Sequence, residues 1–240
     1  MKKRNWKEIV AYAILISFII PIGYCAYKIV VAPSVNPENI EGIKVKTDYI
    51  LMLSQCVLGI VAIILPSLIS KKVNITIPSN MYFLYLIFLF CGNFLGEVTN
   101  FFYKFKYWDV MLHAFSSLML GAIGFSIINL LNKEEKIHIK LSPMFVAIFS
   151  FCFAVSLGLI WEVYEFLADG ALGLNMQKFA LEHGVQLIGR EALLDTMKDL
   201  IVDCIGAFIM ASVGYVSLKY KKGWVEKLLI KRNHTVKDKE

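Results

Sequence analysis

Carboxylate and imidazole side chains recur at helical spacing between residues 109 and 203 of this 240-residue chain. Asp109 and His113 are four residues apart, so in a helix they share one face. Glu162 and Glu165 are three residues apart and share a face in the same way. A third stripe has acidic residues at four-residue intervals: Asp195, Asp199 and Asp203. Oxygen ligands of this kind suit Mg²⁺, Ca²⁺ or Mn²⁺, and one histidine brings Zn²⁺ or Fe into range.

These residue types predict a divalent-cation site and leave the identity of the metal open. Four side chains are the predicted metal ligands: Asp109, His113, Asp199 and Asp203. Glu162 and Glu165 are the predicted catalytic residues, because a carboxylate beside a bound cation can take a proton from water. Three further residues are candidates for supporting the ligands or contacting substrate: Glu97, Asp195 and Arg190.

Several of these residues also have an ordinary structural explanation, which is harder to find for Glu162, Glu165 and Asp203 because they are the deepest. Taken alone, His113 can be explained as a buried histidine that is hydrogen-bonded to a neighbouring carboxylate. Asp109 and Asp195 alone read as caps at helix N-termini, where Asp is common. Arg190 alone can be explained as the salt-bridge partner of Glu191 or Asp195. A shared site is favoured over these separate explanations because the polar residues coincide at one depth of the predicted membrane spans.

Six hydrophobic segments are available to position these groups. The chain is 58% hydrophobic, against about 45–50% for soluble domains, and the excess lies in blocks near the roughly 20 residues that cross a bilayer. We therefore predict an all-α polytopic membrane helical bundle, with a transmembrane domain over 1–222 and a basic tail over 223–240. The predicted spans are 9–31, 49–70, 81–99, 108–131, 143–168 and 197–219.

Lysine and arginine are distributed unevenly between the two sides of these spans. Of 25 such residues, 17 fall on the side that holds both termini, which predicts cytoplasmic termini. The loops 32–48, 100–107 and 169–196 then face outward, as do the acidic ends of the spans. A charge at the bilayer centre costs about 2.5–3.5 kcal/mol, so these groups should face one another, water or a cation. Protons, Lys198, Arg190 or a divalent cation are the candidates for neutralising them.

The net charge of +6 indicates membrane topology and attraction to anionic headgroups. We expect no nucleic-acid binding, because the chain has no soluble domain to support it. The expected partners are the lipid bilayer and the anionic headgroups at its cytoplasmic face, which the basic tail would contact. The start of that tail, 223–232, is predicted to be a short amphipathic helix on the membrane or a solvated basic segment.

Three functions remain open at this point. The first is a metal-dependent intramembrane enzyme that acts on a lipid or envelope precursor. The second is an ion-coupled transporter, although the acids lie near one face and no inverted repeat is evident. The third is a non-catalytic membrane partner or immunity-type protein, whose polar cluster fixes helix packing. The motifs H-E-x-x-H and G-x-S-x-G are absent from the sequence, which disfavours zincin-type proteases and α/β-hydrolases.

Three motifs resemble those of the YjdF-like bacterial inner-membrane proteins. The W-D-x-x-x-H segment at 108–113 looks like their D-x-x-x-H motif, and the W-E-x-Y-E segment at 161–165 is similar to their glutamate-rich fifth helix. The run D-x-x-x-D-x-x-x-D-x-x-G-A at 195–207 looks like their terminal motif. Ser117 and the pair Gly189-Arg190 depart from the family pattern. The resemblance covers about residues 80–210 and implies the helical architecture, a shared polar site and the bacterial cytoplasmic membrane, but no reaction.

The charge distribution makes the topology testable with reporter fusions. Fusions after Lys72, Lys140 and Lys222 should report a cytoplasmic location, and a fusion near Gln177 should report an external one, because basic loops stay inside. Alkaline phosphatase and green fluorescent protein activity would measure this. A cytoplasmic signal at Gln177 would overturn the topology and the argument that the acidic ends share the outer side.

Overall fold

The computed structural model describes residues 6–35, 43–132, 141–181 and 185–232. Within these residues six helical segments are long and apolar enough to cross a membrane, as the sequence predicts. The third of them changes character, because an α-helix continues directly into a π-helical segment. The elements are α1 (Trp6–Val31), α2 (Lys46–Val73), β1 (Ile75–Thr76), α3 (Ser79–Leu89), the π-helical segment Phe90–Val98, α4 (Phe101–Lys104), α5 (Trp108–Asn132), α6 (Pro143–Leu172), α7 (Arg190–Lys219) and β2 (Lys231–Arg232).

Local sequence signals define the two ends of α6. Ser142 caps its N-terminus, where the hydroxyl oxygen accepts a hydrogen bond from the Phe145 amide at 3.2 Å, and Pro143 occupies the first turn. At the other end Gly173 adopts a left-handed conformation with φ +63°. Its amide donates to the Asp169 carbonyl at 2.9 Å, which closes the helix as such glycines commonly do.

The connection between α6 and α7 is shorter than the predicted loop 169–196. Helix α6 continues to Leu172, and α7 begins at Arg190, directly after Gly189 at φ +62°. Asp195 therefore lies inside α7, so the interpretation of Asp195 as a helix cap is wrong, and Arg190 is helical rather than part of the loop. The error arose because hydropathy marks where a helix meets hydrocarbon, whereas the polar first turns of α7 extend beyond it.

The helices pack in two groups. Helices α5, α6 and α7 share a core that includes Phe125, Val146 and Met210, while α1, α2 and α3 pack around Phe18 and Leu86. Small residues bring the first group close together. A Cβ atom added at Gly124 on α5, for example, would lie only 2.8 Å from the Ser150 Cα on α6. Polar side chains on the facing surfaces of α5–α7 are therefore within reach of one another.

The start of the C-terminal tail is docked onto the bundle. Val225 and Leu229 are buried against the α5–α7 core, and the Ile230 amide donates to the Ser126 hydroxyl at 3.1 Å. Strand β2 then pairs antiparallel with β1, which follows α2. Residues 223–232 thus form neither an amphipathic helix nor a solvated segment, because their apolar side chains fill the end of the helix group.

Candidate functional site

His113 lies at the centre of a polar cluster formed by α5, α6 and α7. Its Nδ1 atom is 3.3 Å from Asp203 Oδ2. On the other edge of the ring, Nε2 is 3.8 Å from Asp109 Oδ1 and 3.9 Å from both Glu162 Oε1 and Asp199 Oδ2. The structure therefore brings together five residues that the sequence singled out, and one imidazole contacts carboxylates from all three helices.

These carboxylates are buried, and some of their oxygens lack partners. Glu162, Asp199 and Asp203 are each 3% exposed. Among the described residues, both side-chain oxygens of Glu162 and the Oδ1 atom of Asp203 make no hydrogen bond. Buried polar atoms are normally satisfied, and an unpaired buried charge is costly. The cluster thus has unused acceptor capacity that is directed at the imidazole.

A glycine on α6 makes room for the Asp203 carboxylate. A Cβ atom at Gly158 would lie 3.0 Å from the Cγ atom of Asp203 and still closer to its Oδ2 atom. Such contacts are shorter than real Cβ atoms tolerate, so any larger residue at 158 would displace the carboxylate that bonds to His113. The absence of a side chain at this position is therefore part of the site.

Lys178 provides a positive charge that sequence reasoning missed. Its Nζ atom donates to Asp109 Oδ2 at 3.2 Å and to the Met176 carbonyl at 3.2 Å. The ammonium also lies 4.3 Å from the centre of the Phe102 ring, within cation–π range. The two cations that the sequence suggested as neutralising groups were Lys198 and Arg190, and neither forms an ion pair within the described residues.

The segment that carries Lys178 is anchored to the end of α6. The buried Asp169 carboxylate accepts hydrogen bonds from the Met176 amide at 2.8 Å and from the Gln177 amide at 3.0 Å. Lys178 itself has a left-handed backbone with φ +51°, which is uncommon for a residue other than glycine. Together these features direct the long side chain back toward the bundle and onto Asp109.

The surrounding carboxylates also determine the protonation of Lys178. Burial by itself lowers the pKa of this ammonium, but the charges of Asp109, Asp195 and Glu165 outweigh burial and hold the pKa above its ordinary value. Lys178 is therefore charged throughout the physiological pH range. It neutralises one of the carboxylates in the cluster and leaves the others to a different positive group.

The remaining predicted residues lie around the cluster rather than in it. Glu165, one turn beyond Glu162, is partly buried within electrostatic range of Lys178. Glu97 on the π-helical segment lies within electrostatic range of the same ammonium. Asp195 lines a small cavity beside Lys178. Arg190 is exposed at the start of α7, nine residues before Asp199 and so about 13 Å from it along the helix. The structure does not bring Arg190 to the cluster.

The chain is similar to a family of predicted membrane proteins and to a protein of known sequence. A family model described as "Predicted membrane protein (DUF2238)" matches residues 39–220, which includes every residue of the cluster. A protein of Thermotoga maritima with the name "Uncharacterized protein" is 27% identical over 151 residues. The aligned region covers 62% of this chain and 69% of the Thermotoga protein. No solved structure matches the chain.

The ion pair between Lys178 and Asp109 should contribute measurably to stability. Lys178→Gln should lower the free energy of unfolding by about 1–3 kcal/mol, because it leaves a partly buried carboxylate without its charged partner. Lys104→Gln is the matched control, since that ammonium donates to the Thr99 carbonyl and no ion pair is lost; its effect should stay within about 0.5 kcal/mol. Thermal melts of the purified protein would measure both.

The sign of the pH dependence follows from the raised pKa of Lys178. A raised folded-state pKa gives a contribution that is fully present below the ordinary lysine pKa, about 10.4, and is lost as the pH rises through the folded-state value. The difference in melting temperature between the wild type and Lys178→Gln should therefore persist on raising the pH from about 7 to 9. Equal losses for the 178 and 104 variants would contradict this account.

Proposed function

The chain belongs to the DUF2238 family of predicted membrane proteins, and we propose that it is an intramembrane enzyme that uses a divalent cation on a lipid or envelope precursor. One observation carries the proposal. Three carboxylates converge on Nε2 of a single imidazole, and one of them, the buried Glu162, has two oxygens without hydrogen-bond partners among the described residues. A cation at this point would satisfy all of these groups together.

The spacing of the cluster supports a shared ion better than direct hydrogen bonding. The separations of 3.8–3.9 Å between Nε2 and the carboxylate oxygens exceed hydrogen-bond length. They suit pairs of ligand atoms that each bind one metal at about 2.0–2.2 Å. The ligand atoms of Asp109, His113 and Asp199 all lie within 4.8 Å of one another, so these are the proposed central ligands. Glu162, 3.9 Å from the same nitrogen, is the proposed additional ligand. A mixed histidine and carboxylate set of this kind favours Zn²⁺, Mn²⁺ or Fe over Ca²⁺.

Asp203 suits a supporting role in this arrangement. Metal-binding histidines usually place their second ring nitrogen against a carboxylate, which fixes the orientation and tautomer of the ring. The contact of 3.3 Å between Asp203 Oδ2 and His113 Nδ1 has this geometry. We therefore assign Asp203 to orienting the ring and Glu162 to binding the ion, whereas the sequence alone had suggested Asp203 as a metal ligand and Glu162 as a catalytic residue.

Glu165 is the proposed general base. It lies on the turn of α6 next to Glu162 and is partly buried, without an ion pair among the described residues. When bound, a divalent cation supplies Lewis acidity and lowers the pKa of water toward neutrality. Glu165 would accept the proton released there, and Lys178 would stabilise the resulting negative charge.

The membrane context belongs to the same proposal. The resemblance to YjdF-like proteins and the distribution of lysine and arginine support the bacterial cytoplasmic membrane, with both termini inside. The cluster then lies in the outer half of the bilayer, where a substrate could reach it from the outer leaflet or from outside the membrane. The short basic tail supports a contact with anionic headgroups on the inner side.

The cation should be detectable without knowledge of the substrate. We expect the purified protein to carry about one equivalent of a divalent metal by elemental mass spectrometry, and EDTA to lower its melting temperature. An ion at 100 times its Kd contributes about 2.7 kcal/mol to stability. Asp199→Asn or Glu162→Gln should abolish the sensitivity to EDTA. The control Glu191→Gln, on the exposed first turn of α7, should retain it.

The opposite result would change the functional assignment. If no metal co-purifies and EDTA has no effect, the cluster is held by protons. The protein is then better explained as an ion-coupled carrier or as a non-catalytic membrane partner in which the polar cluster fixes helix packing.

Asp203 and Asp199 should differ in how they affect the bound ion. Asp203→Asn should weaken metal affinity by about 10–100-fold but still allow full loading at high metal concentration, as expected for a group that orients a ligand. Asp199→Asn should fail to load, because a ligand itself is lost. Titration of the metal-free proteins by calorimetry would compare them. Identical losses for the two variants would show that Asp203 also binds the ion.

A further inference from the structure

A cavity lies directly beside the polar cluster, at the end of the bundle that carries α4. It has a volume of about 250 Å³ and is formed by α4, the start of α5, the segment after α6 and the first turns of α7. Asp109 belongs to both the cavity and the cluster. Whatever occupies this cavity therefore lies next to the proposed cation.

The ammonium groups of Lys106 and Lys178 line the cavity, and only that of Lys178 forms an ion pair within the described ranges. Lys178 is engaged with Asp109. Lys106 is exposed, and its Nζ atom lies 5.5 Å from the centre of the Tyr107 ring. No ion pair involves Lys106 among the residues that the structure describes. Among the described residues, the cavity thus offers at least one positive charge that no ion pair neutralises.

The negative charges of the cavity wall lie near lysine side chains. Asp109 is paired with Lys178 and faces the proposed ion. Asp195 lies within electrostatic range of Lys178 and Lys198. A ligand that presents anionic oxygens would therefore complement Lys106, whereas a cationic ligand would compete with lysines that are already in place.

The segment that holds Lys178 is rigidly braced on the side of the cavity. The Asn175 side chain bonds to Ala180 twice: its oxygen accepts from the Ala180 amide at 3.0 Å, and its nitrogen donates to the Ala180 carbonyl at 2.7 Å. Together with the Asp169 contacts, these bonds maintain the left-handed backbone of Lys178. Residues kept in such conformations are concentrated at ligand-binding sites.

We propose that this cavity binds a phosphoryl group of the substrate, held by Lys106 and Lys178 beside the cation on Asp109. The inference rests on the proposed function, because the cation supplies the third positive contact. Phosphoryl oxygens accept several charge-assisted hydrogen bonds at once. The volume is below the roughly 300–1,000 Å³ of sites for whole drug-sized ligands, so the cavity suits a lipid headgroup phosphate or a small phosphate ester rather than a whole lipid.

Phosphate binding to the purified protein tests the cavity. Inorganic phosphate would be titrated by calorimetry into protein with and without Mn²⁺, for the wild type, Lys106→Gln and Lys178→Gln. The matched control is Lys104→Gln, at the end of α4 two residues before Lys106 but not on the cavity wall. We expect Lys106→Gln to weaken phosphate binding about tenfold, the effect of one lost charge-assisted hydrogen bond. Lys104→Gln should leave phosphate affinity unchanged. All four proteins should unfold in a single cooperative thermal transition, which shows that each is folded.

A second experiment identifies the source of the phosphoryl group. The protein would be placed in phosphatidylcholine nanodiscs with or without phosphatidic acid, and phosphate binding would be measured again. Competition by phosphatidic acid identifies a lipid headgroup, and its absence identifies a soluble phosphate ester. Both results support the cavity, provided that binding depends on Lys106.

Failure of this inference can be separated from failure of the proposed function. Protein that binds Mn²⁺ but shows no phosphate binding that depends on Lys106 overturns the phosphoryl site and leaves the cation site intact. Protein that binds no Mn²⁺ but binds phosphate through Lys106 supports the phosphoryl site and overturns the cation. Lysine-independent phosphate binding, equal in the 104 and 106 variants, also overturns the phosphoryl site.

Discussion

Compensation of the carboxylates buried around His113 is the constraint on which the rest of the structure depends. Asp199 and Asp203 come from α7 and Glu162 from α6, so these helices must approach α5 closely enough for one imidazole to reach all three. Gly158 permits that approach beside Asp203. A conventional apolar interface would be easier to build, since unpaired buried charges oppose folding. The helix packing is therefore organised to serve the polar cluster.

The π-helical segment Phe90–Val98 packs against the residues around Lys178. The π-helical segment after α3 carries Gly96, and a Cβ atom there would lie 2.5 Å from the Phe102 ring. Phe102 in turn lies beneath the Lys178 ammonium. Segments of π-helix are rare and often occur at functional sites. Here the segment brings Glu97 toward Lys178 and packs behind the cation–π contact.

The sequence predicted the features that depend on periodicity and missed those that depend on single backbone conformations. Six spans follow from hydropathy, and the helical repeat alone places Asp109 with His113 and Asp199 with Asp203. The contribution of Lys178 depends instead on the amide contacts of Asp169 and on a left-handed residue, which no repeat signals. The docked tail was missed for a similar reason, because its apolar residues have meaning only against the surface formed by distant helices.

The order of the helices along the chain has a consequence for biogenesis. Helix α5, which carries Asp109 and His113, leaves the ribosome before α6 and α7 exist. During synthesis, its polar face has none of the carboxylates that later surround the imidazole, and Lys178 has not yet been made. Insertion of α5 into lipid at that stage would expose polar groups to hydrocarbon. The nascent chain is thus expected to keep α5 beside the translocon or at the aqueous interface until α7 completes the group.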